Sequence, residues 1–270
     1  MRADPSRRPW STRLHHERAT PRRRTPGCHP RGSMELITYS NITSTQDTAR
    51  QIALEGHLLP FAVIAEKQSA GRGRRGKSWN SPQGGLWLTL ALAVQSPETV
   101  RQSAMVAAHA VASVVVTETG VRTLVKWPND LLVKRRKVCG ILAETLVQSE
   151  TTTLLLGIGL NVNNVITPDQ LSHMTSLREE LGRSVDVRHL CQNILDMVEL
   201  DINLLILHGF DTFSPWMDAN LALRDELVTV EFNDQRESGR VSGLSKTGAL
   251  LLKNPDGSLT EVDAGSVYDW

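Results

Sequence analysis

The sequence predicts an α+β protein of the mixed α/β kind, with a central mixed sheet, flanking helices and a small β-barrel at the C-terminal end. Three observations predict it. Between residues 35 and 162, strand-like and helix-like runs alternate. A long amphipathic pattern follows at 186–208. The last 48 residues change character, with short strand-like runs between turn signals such as Pro255-Asp256-Gly257.

Each element has its own signal. Residues 35–39 form a short apolar strand. Residues 44–55 read as a helix, with Ser44 and Asp47 at capping-box spacing and Gly56 as the stop. Residues 61–66 are a buried strand, and a glycine-rich loop covers 68–85. In the strand 86–94, Leu86, Leu88, Leu90, Leu92 and Val94 alternate onto one face. The apolar stretch 100–119 is a helix under the sheet, and its run from Ala104 to Val116, interrupted by His109 and Ser113, is too short to cross a bilayer. A strand at 123–127 ends at Pro128-Asn129-Asp130. Residues 131–133 and 138–146 form a hairpin around the basic turn 134–137, and 153–162 is a further strand. Leu190, Ile194, Val198, Ile202 and Leu205 make one stripe of a helix that Gly209 ends. Four short strands, at 227–232, 239–244, 249–253 and 259–262, make the terminal barrel.

Composition bounds the function. The net charge of +1 conceals an asymmetry. Residues 1–33 hold nine Arg, no Lys and two acids, a net of +7, which leaves −6 for the rest. With five Pro and no hydrophobic periodicity, this segment reads as disordered. Two readings of it stand: translation starting at Met34, or an Arg-rich targeting or surface-binding tail. Cys28, Cys139 and Cys191 have no Cys-x-x-Cys spacing, which disfavours a zinc site or disulfide framework and suits a reducing cytoplasm.

The chemistry centres on Gly71-Arg72-Gly73-Arg74-Arg75-Gly76-Lys77-Ser78. Glycines admit close backbone approach, and several cations on one short loop suit a polyphosphate. The letters satisfy both the Walker string and the dinucleotide fingerprint, but each requires a helix to open directly after the glycines. Here Trp79-Asn80-Ser81-Pro82-Gln83-Gly84-Gly85 reads as more loop, and no acid occurs before Glu98, so both matches are coincidental. Downstream, Lys126, Asn129 and Asp130 stand at a strand end, where ligands meet α/β sheets. Lys137 follows on the hairpin. Gly157-Ile158-Gly159-Leu160-Asn161 thins a strand and ends in an amide able to match an adenine edge. Each of these also has an ordinary reading, as turn, solvated charge or strand cap.

In this order, the pieces resemble the biotin–protein ligase family over about residues 40–164, with the terminal barrel as a further match. The resemblance implies a class II synthetase-like catalytic domain at 34–222 and an SH3-like β-barrel at 223–270. It implies that ATP and magnesium are co-substrates, that biotin is activated as biotinyl-5′-AMP, and that a lysine of a biotin carboxyl carrier protein receives it. Ser44, Thr45, Gln46 and Gln68 fall where the family contacts biotin; Asn is common in the family where Gln46 stands. Arg72, Gly73 and Arg74 match the loop that covers biotin and adenylate, with Arg72 or Arg74 neutralising phosphate. Lys137 matches the lysine near the biotin carboxylate and α-phosphate and is the expected main electrostatic catalyst. Lys126, Asn129, Asp130 and Asn161 match the nucleotide end, with Asp130 serving magnesium or orienting the acceptor lysine. Trp79 and Trp87 are candidate walls, with packing the stronger reading for Trp87. Cys139 has a structural place.

Residues 1–33 leave no room for a helix-turn-helix domain, so operator binding is not expected; no membrane partner is expected, and a homodimer is a family habit. The rivals are a lipoate or octanoate ligase or transferase of the same fold, a P-loop NTPase, and an RNA-binding module. The acidic folded part and 4% aromatic content count against the last.

Overall fold

The computed structural model describes residues 34–148, 151–232, 235–268 and 270. The readings made for residues 1–33 lie outside the described residues. Strands β1 (Glu35–Tyr39), β2 (Phe61–Ala65), β3 (Leu86–Val94), β4 (Leu124–Lys126), β5 (Asp130–Val133), β6 (Arg136–Gln148) and β7 (Thr151–Leu160) form one sheet. Its order is β1-β2-β3-β7-β6-β5-β4. Only β1 and β2 run parallel, so the sheet is mixed.

Helix α1 (Thr45–Leu54) starts where expected, because the Ser44 side chain accepts from Asp47 N. Helix α2 (Pro97–Thr119) begins three residues earlier than the apolar pattern suggests. Ser96 caps it, Pro97 takes the first turn, where a missing N–H costs nothing, and Gly120 ends it in the left-handed region at φ 75°. At its full length α2 is long and apolar enough to cross a membrane, but 67% of its apolar window is buried inside the protein, against the sheet and α4 (Val187–His208). Asp186 caps α4 and Gly209 stops it.

The two faces of the sheet differ. Leu86, Leu88, Leu90 and Leu92 of β3 join α2 and α4 in the main core. On the opposite face Phe61, Val63, Ala91 and Leu155 pack under Ala49 and Ala53 of α1 in a smaller cluster. Covering only one end of that face leaves the strands beside it free to line a cavity.

Two short helices, α3 (Leu177–Leu181) and α5 (Ser214–Ala219), lack the length for a periodic signal. The C-terminal strands β8 (Leu227–Phe232), β9 (Gln235–Leu244), β10 (Leu250–Lys253), β11 (Leu259–Val262) and β12 (Ser266–Tyr268) form an antiparallel sheet of order β11-β10-β9-β8-β12. The fifth strand, β12, is the one the sequence pattern does not announce. This sheet is fastened to the first. Trp127 Nε1 donates to Gly248 O at 3.0 Å, Gln102 Nε2 donates to Thr247 O at 3.0 Å, and Val228, Val230, Val241 and Leu250 share the main core.

Candidate active site

A cavity of about 560 Å³ lies on the α1 face, between the end of α1, the loop at 71–80, β6, β7 and the C-terminal strand β12. Small residues open its floor. Thr89, Gly157 and Leu142 sit side by side across β3, β7 and β6, as do Trp87, Gly159 and Gly140 one step along. The Trp79 indole occupies the space over the second row. A Cβ added at Gly159 would stand 2.5 Å from Trp79 Nε1, and one at Gly157 would stand 2.6 Å from Gln46 Oε1. Glycine is required here for close approach rather than for an unusual backbone.

One end of the cavity is neutral and polar. Ser44, Thr45 and Gln46 are buried and interlocked. Thr45 N donates to Gln68 Oε1 at 2.7 Å, and Gln68 Nε2 donates to Ser81 Oγ at 2.7 Å. Thr89 Oγ1 lies 2.9 Å from Thr45 Oγ1 and 3.1 Å from Gln46 Oε1. Fixed hydroxyl and amide groups of this kind suit a ligand that both donates and accepts hydrogen bonds.

The other end is cationic. Lys137 Nζ stands 2.7 Å from Asp130 Oδ1 and 4.9 Å from the Trp79 ring. The carboxylate is held by charge, since the angles do not make a hydrogen bond to Oδ1. The Lys137 backbone is clamped, its N–H donating to His173 O at 2.8 Å and its carbonyl accepting from Thr175 N at 2.9 Å. Arg74 donates to Asn129 Oδ1 at 3.0 Å and to Gly265 O at 2.9 Å. Burial pushes its guanidinium down from the ordinary value, against the pull of Asp130. Burial likewise lowers Lys126 to about 8, opposed by Asp130 and assisted by Lys137 and Lys77.

The basic loop is closed by its own backbone. Trp79 N donates to Gly71 O, Gly73 N donates to Lys77 O, and a single 3-10 turn spans Arg74–Gly76. No helix opens before β3, as both nucleotide fingerprints would need. The structure therefore gathers Ser44, Thr45, Gln46, Gln68, Arg72, Gly73, Arg74, Lys126, Asn129, Asp130 and Lys137 around one cavity.

Asn161, expected at the nucleotide end, stands apart from this group. It is 1% exposed and does not line the cavity. Its Nδ2 donates to Thr175 O at 3.1 Å and its Oδ1 accepts from Asn164 Nδ2 at 3.0 Å. The amide is spent on the segment that clamps Lys137, and Gly157 and Gly159, earlier in the same strand, face the cavity instead. Trp87 is packed at 1% exposure, as its alternating position suggests, whereas Trp79 lines the site. Cys139 is buried, and burial pushes its thiol well above the ordinary range, so it has no thiolate to offer.

Sequence reasoning missed five residues of the lining. Trp270 lies 4.2 Å from Lys126 Nζ and 4.9 Å from Arg135 Cζ, and Tyr268 lies 5.7 Å from Lys77 Nζ. Gln170, His173 and Met174 form another wall. The signal for Tyr268 was a three-residue strand recognisable only from its pairing with β8.

Residues 39–161 match the biotin/lipoate A/B protein ligase family, and residues 226–268 match the biotin protein ligase C-terminal domain. The bifunctional ligase/repressor BirA of Bacillus spizizenii is 33% identical over 229 residues, 82% of this chain and 70% of that protein. The chain belongs to the biotin protein ligase family. The biotin--[acetyl-CoA-carboxylase] ligase of Paracoccus denitrificans is 30% identical over 72% of this chain and 85% of its own length. Among solved structures, the biotin protein ligase of Aquifex aeolicus in complex with biotin and ATP superposes with a TM-score of 0.77 at 25% identity, covering 87% of this chain and 97% of that one.

Proposed function

We propose that this chain is an ATP-dependent biotin–protein ligase that forms biotinyl-5′-AMP and transfers biotin to a lysine of a biotin carboxyl carrier protein. One observation carries the reading. A neutral, hydrogen-bonding end and a cationic end meet in a single cavity, with Lys137 at the junction. The ureido ring of biotin, with two N–H donors and one carbonyl, suits the end built from Ser44, Thr45, Gln46 and Gln68. Its carboxylate then lies toward Lys137.

In the first step a biotin carboxylate oxygen attacks the α-phosphorus of ATP, and the bond from that phosphorus to pyrophosphate breaks. Negative charge grows on the phosphoryl oxygens, where Lys137 and Arg74 supply preorganised cations. Lys126, beside Trp270, serves the nucleotide. In the second step the acceptor amine attacks the activated carbonyl, AMP leaves, and the amine loses a proton. Asp130, within the same cavity, is placed to receive or orient that amine. Closure of the 71–77 loop keeps water from the mixed anhydride.

Among the described residues, no group of three or more His, Cys, Asp or Glu side chains is placed to hold a metal ion. Asp130 is a lone carboxylate already paired with Lys137, a donor set that fits magnesium entering on ATP phosphates better than a resident ion. Incubation with ATP, magnesium, biotin and an apo-carrier domain, read by a streptavidin gel shift, tests the proposal. A folded protein that gives no shift, or that transfers lipoate or octanoate instead, would falsify it.

A further inference from the structure

Glu144 of β6 is outside the residues assigned to substrate above, yet it joins two residues that line the cavity, Arg72 and Gln46, to Arg50 of α1. Its Oε1 accepts from Arg72 Nη2 at 2.9 Å. Its Oε2 accepts from Gln46 Nε2 at 3.2 Å and from Arg50 Nη2 at 3.0 Å. Arg72 Nη1 pairs in turn with Asp47, so charges alternate in the order Asp47, Arg72, Glu144, Arg50. Gln46 also donates to the carbonyl of Leu155, the residue opposite Glu144 across the sheet.

The position of this network matters more than its size. The 71–79 loop is stiffened by bonds to itself, which do not tie it to the body of the protein. Arg74 and Arg75 tie it on the side of the C-terminal strands, through Gly265 O and Glu231 O. Arg72 is the corresponding side-chain tie at the neutral end, and both of its anchors are carboxylates. The Glu144 side chain is 22% exposed, so its charges are screened less than those of an open surface pair.

We infer that Glu144 is a positioning residue: it latches the 71–77 loop closed over the biotin end of the cavity while fixing the carboxamide of Gln46. One carboxylate then couples substrate orientation to a loop tie that it shares with Asp47. The link to biotin rests on the ligase reading above, whereas the latch itself does not.

Two measurements on the full chain separate these claims. The first is amide hydrogen exchange of residues 71–77 without any ligand. Glu144→Gln should exchange about three- to tenfold faster than wild type, the range of a partly screened ion-pair network. Arg50→Gln, which removes only the helix arm, should change it less than about twofold. Wild-type protection in Glu144→Gln overturns the latch. If Glu144→Gln fails to fold, Glu144→Asp, which keeps the charge but is too short to reach both sides, takes its place with the same expectations. The second measurement is single-turnover kinetics with biotin and ATP. Glu144→Gln should raise the biotin KM and the rate of biotinyl-5′-AMP escape about tenfold, while adenylate formation at saturating biotin changes less than about threefold. A fall in kcat with KM and escape unchanged overturns the positioning role. Arg72→Gln, which also gives up Asp47, should loosen the loop at least as much as Glu144→Gln, and the double variant should lose less than the sum of the two; fully additive losses overturn the pairing. A wild type that never activates biotin brings down the ligase reading and leaves hydrogen exchange to decide the latch.

Discussion

Lys137 Nζ and Asp130 Oδ1 face each other at 2.7 Å across the β5–β6 hairpin, at the point where the neutral and cationic ends of the cavity meet. In the proposed reaction the pair sets a cation where phosphoryl charge develops and a carboxylate where the amine arrives. Lys137→Ala should therefore lower the rate of adenylate formation by about 10²–10³-fold, the range for removing one preorganised charge, with biotin affinity falling less than about tenfold. Pyrophosphate release and calorimetric biotin titration measure the two. Equal losses would make Lys137 a binding residue only.

Arg74 ties the loop to Asn129 and to the C-terminal strand at Gly265. Arg74→Gly removes both ties at once. Adenylate should then escape before transfer and biotinylate bystander proteins, while the wild type labels only the carrier. A streptavidin blot of a mixture of carrier and unrelated proteins reads the difference.

Lys126 carries a pH signature. Its folded pKa, lowered by burial to about 8, lies below the usual lysine value. The charge is present below pH 8 and is lost above it, so the KM for ATP should rise as pH climbs from 8 toward 10. Lys126→Arg, charged throughout, should abolish the rise. For stability the sign runs the other way. Between pH 8 and about 10.4 the unfolded lysine holds a proton that the folded one has lost, so this group makes stability increase with pH across that window.

Gly159→Ala tests the crowding beneath Trp79. The new methyl would meet the indole nitrogen at 2.5 Å, so the ring must shift toward the cavity. A cost of about 1–3 kcal/mol in stability is expected, with a biotin KM raised about tenfold. Denaturant melts and steady-state kinetics check it, and an unchanged KM would remove Trp79 from the wall.

Asn161→Ala should act through structure. Loss of its bonds to Thr175 and Asn164 leaves buried polar groups unpaired, at about 1–3 kcal/mol. The KM for ATP should not change, and kcat should fall as the clamp on Lys137 loosens. A raised KM for ATP with intact stability would restore the adenine role expected from the sequence.

The sequence by itself determined most of the elements and the order of the motifs, because those signals are local. Ser44, Gly56, Asp186 and Gly209 mark helix ends through the chemistry of single residues, and β3 announces its core face by period two. The basic loop, the 126–130 strand end and Lys137 each keep an ordinary reading by residue type, and it is the resemblance to the biotin–protein ligase family that joins them. What only the tertiary structure decided depends on long-range pairing. Tyr268 and Trp270 reach the site because β12 pairs with β8, which no three-residue pattern can announce. The hydrogen bonds of Asn161 to Thr175 and Asn164 depend on chain segments that meet only in the fold, so its absence from the cavity lining was not legible in the sequence. The network around Glu144 joins residues up to 98 positions apart, and its meaning lies in their meeting.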